Sequence, residues 1–283
     1  YNLHYFDDLN AIDAIQRASW HANLIERWIY ENPPGYGNGW EAYPSSLRIV
    51  NWIKWSLIGN SFKQQWFDSL AIQVRHLSNN LETDLLGNHL FANAKALVFA
   101  GLFFKGKESD GWYQTGLNII EKELLEQVLT DGGNFELSPM YHSIFLLDLL
   151  DLLNIHHAYN KKQISGVKDK IPLMLYWLKS MCHPDGGISF FNDAAFGVAP
   201  SLDELLDYAK KLSIKNISEK VKTLEYLKDS GYIRVERENL VAMLDVANIG
   251  PDYIPGHGHA DVLSFELSLF GKRVIVNSGT SIY

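Results

Sequence analysis

The chain contains 283 residues, of which 47% are hydrophobic and 20% are charged, so its composition is that of a folded globular protein and excludes a disordered chain. A net charge of -8 without a cluster of Lys and Arg argues against a nucleic-acid partner, and the absence of eighteen consecutive apolar residues argues against a membrane span. The single cysteine, Cys182, excludes an internal disulfide framework.

Apolar residues recur at helical spacing from about residue 10 to residue 225. The pattern predicts eight helices, at 11–30, 45–57, 67–77, 88–104, 112–129, 139–159, 171–181 and 201–212. Glycine-containing turns near residues 39, 88, 132 and 186 precede helix starts, so a helical hairpin repeats about every 50 residues. Stacked hairpins of this length predict a toroid or a solenoid, which we assign to residues 1–225.

The pattern changes to short alternating runs after residue 226. These runs predict strands at 232–236, 240–246, 262–269 and 274–277, with a hairpin turn at 270–273. We therefore expect residues 226–283 to begin an antiparallel β-sandwich whose remainder lies beyond this chain. The predicted fold class is α+β, mainly α.

Polar and aromatic residues lie at two of the predicted helix starts. Asn88 and His89 open the helix at 88–104, and Glu136, Tyr141 and His142 flank the start of the helix at 139–159. Helix N-termini present free N–H groups and a positive dipole end, which favour carboxylates and sulfates. Taken singly, each motif also fits a helix cap followed by core residues.

Two histidines flank a glycine just before a predicted strand. His257 and His259 surround Gly258 and are followed by Asp261. This arrangement is typical of metal sites and of catalytic loops, because neutral imidazole binds zinc and titrates near neutrality. A loop with two exposed histidines is the alternative interpretation.

A further candidate surface lies at residues 40–55. It offers Trp40, Tyr43 and Arg48 to a cleft, where Arg48 can bind a carboxylate through two hydrogen bonds. Pairing of Arg48 with Glu41 is the alternative.

Four segments of the chain resemble the heparinase II/III family. They are 1–7 (YNLHYFD), 132–142 (GGNFELSPMYH), 257–267 (HGHADVLSFEL) and 276–280 (VNSGT). The resemblance spans the chain and implies a helical toroid followed by the start of a β-sandwich. It also implies a polysaccharide lyase that cleaves an acidic, uronic-acid-containing polymer such as heparin, heparan sulfate or alginate by β-elimination, without an organic cofactor.

The residue types fit this chemistry. Elimination removes the proton at C5 beside a uronate carboxylate, so the carboxylate must be neutralised while a base takes the proton and an acid protonates the leaving oxygen. The resemblance assigns carboxylate neutralisation to Asn88, with His89 beside it. It assigns the acid, and for some stereochemistries also the base, to Tyr141, and it makes His257 a candidate base or second neutralising group.

The resemblance also bears on metal and compartment. His259 matches a position that binds a structural zinc ion in some family members, but Asn277 stands where the acidic partner is expected, and an amide is a poor substitute for a carboxylate. Periplasmic or secreted localisation is implied, although the first residues show no signal peptide. The oligomeric state does not follow from the sequence.

Two other functions fit the same residues. A toroid glycoside hydrolase would need two carboxylates, with Asp131, Glu136, Asp185 and Asp193 as candidates. A non-catalytic carbohydrate-binding protein of a surface-polysaccharide pathway would keep the fold without turnover. The products distinguish these functions, because only elimination leaves an unsaturated sugar that absorbs ultraviolet light.

Overall fold

A computed structural model describes residues 1–215, 220–250 and 256–280. Within these ranges the chain forms eight α-helices and a five-stranded antiparallel sheet, which confirms the predicted α+β, mainly α fold class. The helices are α1 Ala18–Glu31, α2 Ala42–Leu57, α3 Gln64–Ser78, α4 Gly87–Phe103, α5 Lys107–Gln127, α6 Pro139–Ala158, α7 Val167–Ser180 and α8 Leu202–Lys211. The strands are β1 Leu224–Leu227, β2 Tyr232–Arg237, β3 Leu240–Asp245, β4 Phe265–Leu269 and β5 Lys272–Ile275.

The chain forms two compact units, Tyr1–Ile120 and Glu121–Tyr283, and the division falls inside α5. The predicted domain division near residue 225 stays a prediction, as does closure of the hairpins into a toroid. None of the helices in the described part of the chain combines the length and the apolar character needed to cross a bilayer.

The first unit is built around α2 and α4, which pack against each other and against α3. Helix α4 is buried on almost all sides, which explains why its sequence is apolar throughout rather than amphipathic. The predicted helix at 11–30 is shorter than expected. Asp13 adopts a left-handed backbone conformation with φ 59°, so a 3₁₀ turn precedes α1, which begins at Ala18.

In the second unit, α6 packs against α7 and α8. Helix α6 begins with a side-chain cap: the Ser138 hydroxyl accepts a hydrogen bond from the Tyr141 N–H, and Pro139 occupies the first helical position. Ser138 therefore fixes where α6 begins, and with it the position of Tyr141 in the first turn.

The sheet is a meander in the order β1-β2-β3-β4-β5, and every neighbouring pair is antiparallel. The sequence predicts four of these strands, with differences at their ends: β4 begins at Phe265 rather than at 262. The predicted hairpin turn is confirmed at Phe270 and Gly271, which both have positive φ and join the pair Leu269↔Lys272. Strand β1 is an addition to the predicted set.

The sheet packs on an apolar cluster made by α7, the segment that follows it, the segment before α6 and three strands. Its members are Leu137, Trp177, Met181, Phe191, Leu227, Tyr232 and Met243. Polar groups on the buried face are paired: Glu266 accepts from the Phe190 and Asn277 N–H groups at 2.8 and 3.0 Å and contacts His183 Nε2 at 2.6 Å. Glu266 thus joins β4 to the segments that contain Phe190 and Asn277.

Candidate active site

Asn88 and His89 lie in the first turn of α4, directly after a residue with an unusual backbone. Leu86 has φ 57° and Gly87 has φ 53°, so the chain turns sharply into the helix. Both side chains are partly buried, and neither is part of the apolar core. The predicted position of these residues at a helix start is therefore found in the structure.

His89 is held by residues of the first unit. Its Nδ1 lies 3.0 Å from Glu82 Oε1, and its ring packs on Tyr43 with centroids 4.4 Å apart. Asn93 fixes Glu82 in turn, donating to Oε2 at 2.9 Å and accepting from the Glu82 N–H at 2.9 Å. Among the described residues Nε2 of His89 has no hydrogen-bond partner, so this nitrogen is the one available for a ligand.

Tyr141 and His257 are in direct contact within the second unit. Their ring centroids are 3.8 Å apart and the planes are inclined by 34°. Both side chains are partly buried rather than enclosed. An aromatic face this close stabilises positive charge on the imidazole, which arises when the ring takes a proton.

Two carboxylates flank the His257 ring. Asp193 Oδ2 lies 3.0 Å from Nδ1, and Glu136 Oε2 lies 3.9 Å from Nε2. A hydrogen bond from Nδ1–H to Asp193 selects the tautomer in which Nε2 carries the lone pair. The four residues Glu136, Tyr141, Asp193 and His257, here called the Tyr141 cluster, can therefore move protons.

Asp193 is itself fixed by neighbouring segments. Its carboxylate accepts from the Thr280 hydroxyl, its N–H donates to the His257 carbonyl at 3.1 Å, and its carbonyl accepts from the Ser138 hydroxyl at 2.6 Å. Gly279 permits this approach, because a Cβ at its φ of 57° would lie 2.4 Å from the Ala194 carbonyl oxygen. Ser138 thus connects the α6 start to the carboxylate that orients His257.

Asn192 organises the other side of the histidine loop. It adopts φ 56°, and its side chain donates to the Leu137 carbonyl and the Tyr232 hydroxyl while accepting from the His259 N–H at 3.1 Å. Asn tolerates the left-handed conformation better than other non-glycine residues. The backbone around residues 192 and 193 therefore sets the position of the whole loop 257–261.

Two residues predicted to bind substrate lie in the core instead. Arg48 is fully buried, donates to Gln73 Oε1 at 2.8 Å, and places its guanidinium 3.8 Å from the centre of the Trp28 ring. Trp40 is also buried and packs against Trp28. Their polar and aromatic groups already have protein partners, so we assign both residues to packing. Tyr43 is partly buried beside His89.

His142 is a core residue as well. It is fully buried and stacks on Trp177, its Nδ1 accepts from the Asn134 N–H at 3.2 Å, and its Nε2 contacts the Met174 carbonyl at 2.9 Å. Burial lowers the pKa of His142 to about 3, so the ring is neutral and does not face an acidic sugar. Glu136 is likewise buried, and its carboxylate lies beside His257.

Two of the four carboxylates considered for hydrolysis have structural roles. Asp131 accepts from the N–H groups of Gly133, Asp229 and Ser230, and Asp185 binds Arg273 through both oxygens. Arg273 and the Gly187 N–H hold the pKa of Asp185 at about 2. Both carboxylates therefore stabilise local structure through hydrogen bonds that occupy their oxygens.

The residues around His259 do not form a zinc site by themselves. His259, Asp261 and Asn277 line one cavity of about 310 Å³, and one oxygen of Asp261 is buried there without a hydrogen-bond partner. Structural zinc needs four ligands. Across residues 1–215, 220–250 and 256–280, however, no group of three His, Cys, Asp or Glu side chains could hold a metal ion.

Two residues of the site have roles that the sequence does not reveal. The sequence makes Asp193 a candidate only as a hydrolytic carboxylate, and it gives Glu82 no role. An Asp next to an Asn in a loop that follows a glycine turn is the available signal for Asp193. For Glu82 the signal is an acidic residue seven positions before His89.

The fold and the site together define an α+β protein of helical hairpins and an antiparallel sheet, with a candidate acid–base site. The profile of the heparinase II/III N-terminus matches residues 17–214, and that of the heparinase II/III-like C-terminal region matches residues 219–283. The chain belongs to the heparinase II/III family, as its motifs predicted.

Individual relatives agree with this membership. A heparin-sulfate lyase of Bacteroides stercoris is 27% identical over 217 residues, which cover 70% of this chain and 32% of the relative. A heparin-sulfate lyase of Pedobacter heparinus is 26% identical over 220 residues, with 69% and 32% covered. The chain therefore spans about a third of the length of these curated relatives.

Solved structures share the fold. A crystal structure of heparinase III superposes with a TM-score of 0.76 at 20% identity, covering 95% of this chain and 47% of that chain. A heparan sulfate lyase of Pedobacter heparinus superposes with a TM-score of 0.66 at 23% identity, covering 99% and 49%. The order of helices followed by an antiparallel sheet is thus shared with these proteins.

Proposed function

We propose that this chain carries catalytic residues of a polysaccharide lyase that cleaves uronic-acid-containing polymers by β-elimination. The observation that supports the proposal most directly is the Tyr141 cluster: a tyrosine in contact with a histidine whose Nδ1 faces a carboxylate. These are the groups that an elimination needs for one proton removal and one proton donation.

In the proposed reaction His257 is the base. Asp193 holds the proton on Nδ1, so the Nε2 lone pair takes the C5 proton of the uronate, and the electrons of the C5–H bond form the double bond between C4 and C5. The C4–O bond breaks, and the Tyr141 hydroxyl gives its proton to the leaving oxygen. Proton return from His257 to the phenolate, directly or through solvent, restores both groups, so no water is consumed.

The charge that develops on His257 has two compensating neighbours. Asp193 faces Nδ1, and the Tyr141 ring lies against the imidazole. Glu136 lies 3.9 Å from Nε2 and adds a second carboxylate. Preorganised groups of this kind lower the barrier without having to rearrange during the reaction.

Carboxylate neutralisation is the proposed task of Asn88 and His89. Removal of the C5 proton places negative charge on the uronate, which hydrogen-bond donors must stabilise. Asn88 has an amide donor, and His89 beside it presents Nε2 to a ligand while its Nδ1 lies 3.0 Å from Glu82 Oε1.

The proposed substrate is a heparin- or heparan-sulfate-type glycosaminoglycan. Two relatives are named heparin-sulfate lyases, and a matching crystal structure is that of a heparan sulfate lyase. Hydrolysis is less well supported, because Asp131 and Asp185 are bound to backbone N–H groups and to Arg273. A uronate polymer is therefore the first substrate to test.

The direct test is Tyr141→Phe in the natural full-length polypeptide. The substitution keeps the ring against His257 but removes the proton donor, so elimination should fall by at least about 100-fold. Tyr159→Phe is the matched control, because Tyr159 lies at the far end of α6. Retention of wild-type turnover by Tyr141→Phe would contradict the assignment, and a protein without elimination on any uronate polymer would contradict the proposed function.

A further inference from the structure

The second unit contains a cavity that does not include the Tyr141 cluster. Its volume is about 620 Å³, and its walls come from the start of α7, residues 130–131, 214–215, 220 and 222, and strand β1. None of Glu136, Tyr141, Asp193 or His257 lines it. Sites for small ligands have volumes of about 300–1,000 Å³, so the cavity has room for a short oligosaccharide segment.

Four lysines line this cavity: Lys168, Lys215, Lys220 and Lys222. Among the described residues only Lys222 is paired with a carboxylate, at 3.2 Å from Glu225. The other three ammonium groups have no acidic partner within that part of the chain. A cluster of cations on a chain of net charge -8 is locally unusual, and its mutual repulsion is relieved by a bound anion.

The acidic residues of the same cavity offset part of this charge. Asp131 accepts from the Ser230 N–H and hydroxyl at 2.8 and 2.9 Å, and Glu225 accepts from the Tyr176 hydroxyl at 2.5 Å and faces Lys222. Asp169 is the remaining carboxylate. Four lysines against three carboxylates leave one positive charge in excess among the described residues of the lining.

The cavity also presents apolar surface. Tyr226 and Leu173 are 55% and 45% exposed, and Pro172 lies beside them in the lining. An exposed tyrosine ring suits the C–H face of a sugar, while ammonium groups bind its carboxylates and sulfates. Amphipathic ligands with a dense negative charge fit this combination better than purely apolar ones.

We propose that this cavity is a second binding site for an anionic oligosaccharide segment, separate from the reacting residues. The inference rests on the proposed function, because it takes the second ligand to be part of the same acidic polymer. Its role is to hold the polymer during cleavage, so its loss raises KM for long chains and leaves kcat on short oligosaccharides unchanged.

The test is the double variant Lys215→Glu/Lys220→Glu in the natural full-length polypeptide. The matched control is Lys122→Glu/Lys162→Glu, which changes the same charge on exposed lysines outside the cavity lining. Calorimetric titration with a size-defined heparan sulfate oligosaccharide should show binding weakened about tenfold or more by the first variant and less than about twofold by the control. Equal affinity for both variants would overturn the inference.

A second variant guards against a folding defect and against a general charge effect. Tyr226→Ala leaves the charge unchanged and should weaken the same binding about fivefold if the ring contacts sugar. The outcomes separate the two proposals. If the lysine variant loses binding and the wild-type protein forms no unsaturated product, the site stands and the lyase is refuted. If the lysine variant binds normally and the wild-type protein forms abundant unsaturated product, only the site is refuted.

Discussion

Replacement of Asp193 by Asn tests how His257 is held. The Thr280 hydroxyl donates to one oxygen of Asp193, so in the variant the amide oxygen should keep this partner and the NH₂ group should face His257 Nδ1. Two donors cannot share that contact, so the proton moves to Nε2, the nitrogen that accepts the C5 proton in the proposed reaction. Asp193→Asn therefore gives the wrong tautomer with little change in shape.

The size of the effect follows from the hydrogen bond that is lost. A hydrogen bond to a charged group contributes about 1.5–3 kcal/mol, and each 1.36 kcal/mol changes a rate about tenfold. We expect kcat for elimination to fall about 10- to 150-fold, while KM changes less than about threefold. Initial rates of ultraviolet absorbance increase measure both constants.

Two further measurements make this prediction specific. Asp185→Asn makes the same chemical change at a carboxylate that binds Arg273 and not His257, so it should leave kcat within about twofold. Nitrogen chemical shifts of the His257 ring report the tautomer directly. Unchanged kcat in Asp193→Asn, or a loss of activity with the native tautomer retained, would show that Asp193 does not act by orienting the imidazole.

Two other predictions concern stability. Glu266 is fully buried and contacts His183 and two backbone N–H groups. In denaturant titrations Glu266→Gln should therefore lower the free energy of unfolding by about 3 kcal/mol. The control, Glu121→Gln at an exposed position, should change it by less than about 0.5 kcal/mol. Burial lowers the folded-state pKa of His142 to about 3, so as pH falls below about 6.5 the unfolded state takes up a proton that the folded state does not. This group should therefore lower the free energy of unfolding by about 2 kcal/mol between pH 7 and pH 5. In His142→Gln that part of the pH dependence should disappear, and an unchanged acid slope would contradict the assignment.

Much of the fold can be predicted because its signals are local. Helical periodicity locates all eight helices, and Ser138 with Pro139 marks the start of α6, since a cap and a proline at the first position act on neighbouring residues. Strand β1 escapes prediction because four residues with alternating exposure carry too weak a pattern beside a lysine-rich segment. Its strand character depends on pairing with β2.

The candidate site is less predictable for the same physical reason. The contact between Asp193 and His257 joins residues 64 positions apart, so no local pattern reports it. The sequence assigns Arg48 to substrate because a guanidinium can bind a carboxylate through two hydrogen bonds, whereas here it contacts the Trp28 ring and the Gln73 amide. Tertiary packing decides such cases, and it converts surface candidates such as Arg48 and His142 into core residues.

We propose elimination rather than hydrolysis as the reaction at the Tyr141 cluster. The decisive measurement is the number of unsaturated sugars, from ultraviolet absorbance, relative to new reducing ends when the natural full-length polypeptide degrades heparan sulfate. We expect a ratio of about one, because each elimination creates one double bond and one reducing end. New reducing ends without any unsaturated sugar would contradict the proposed lyase.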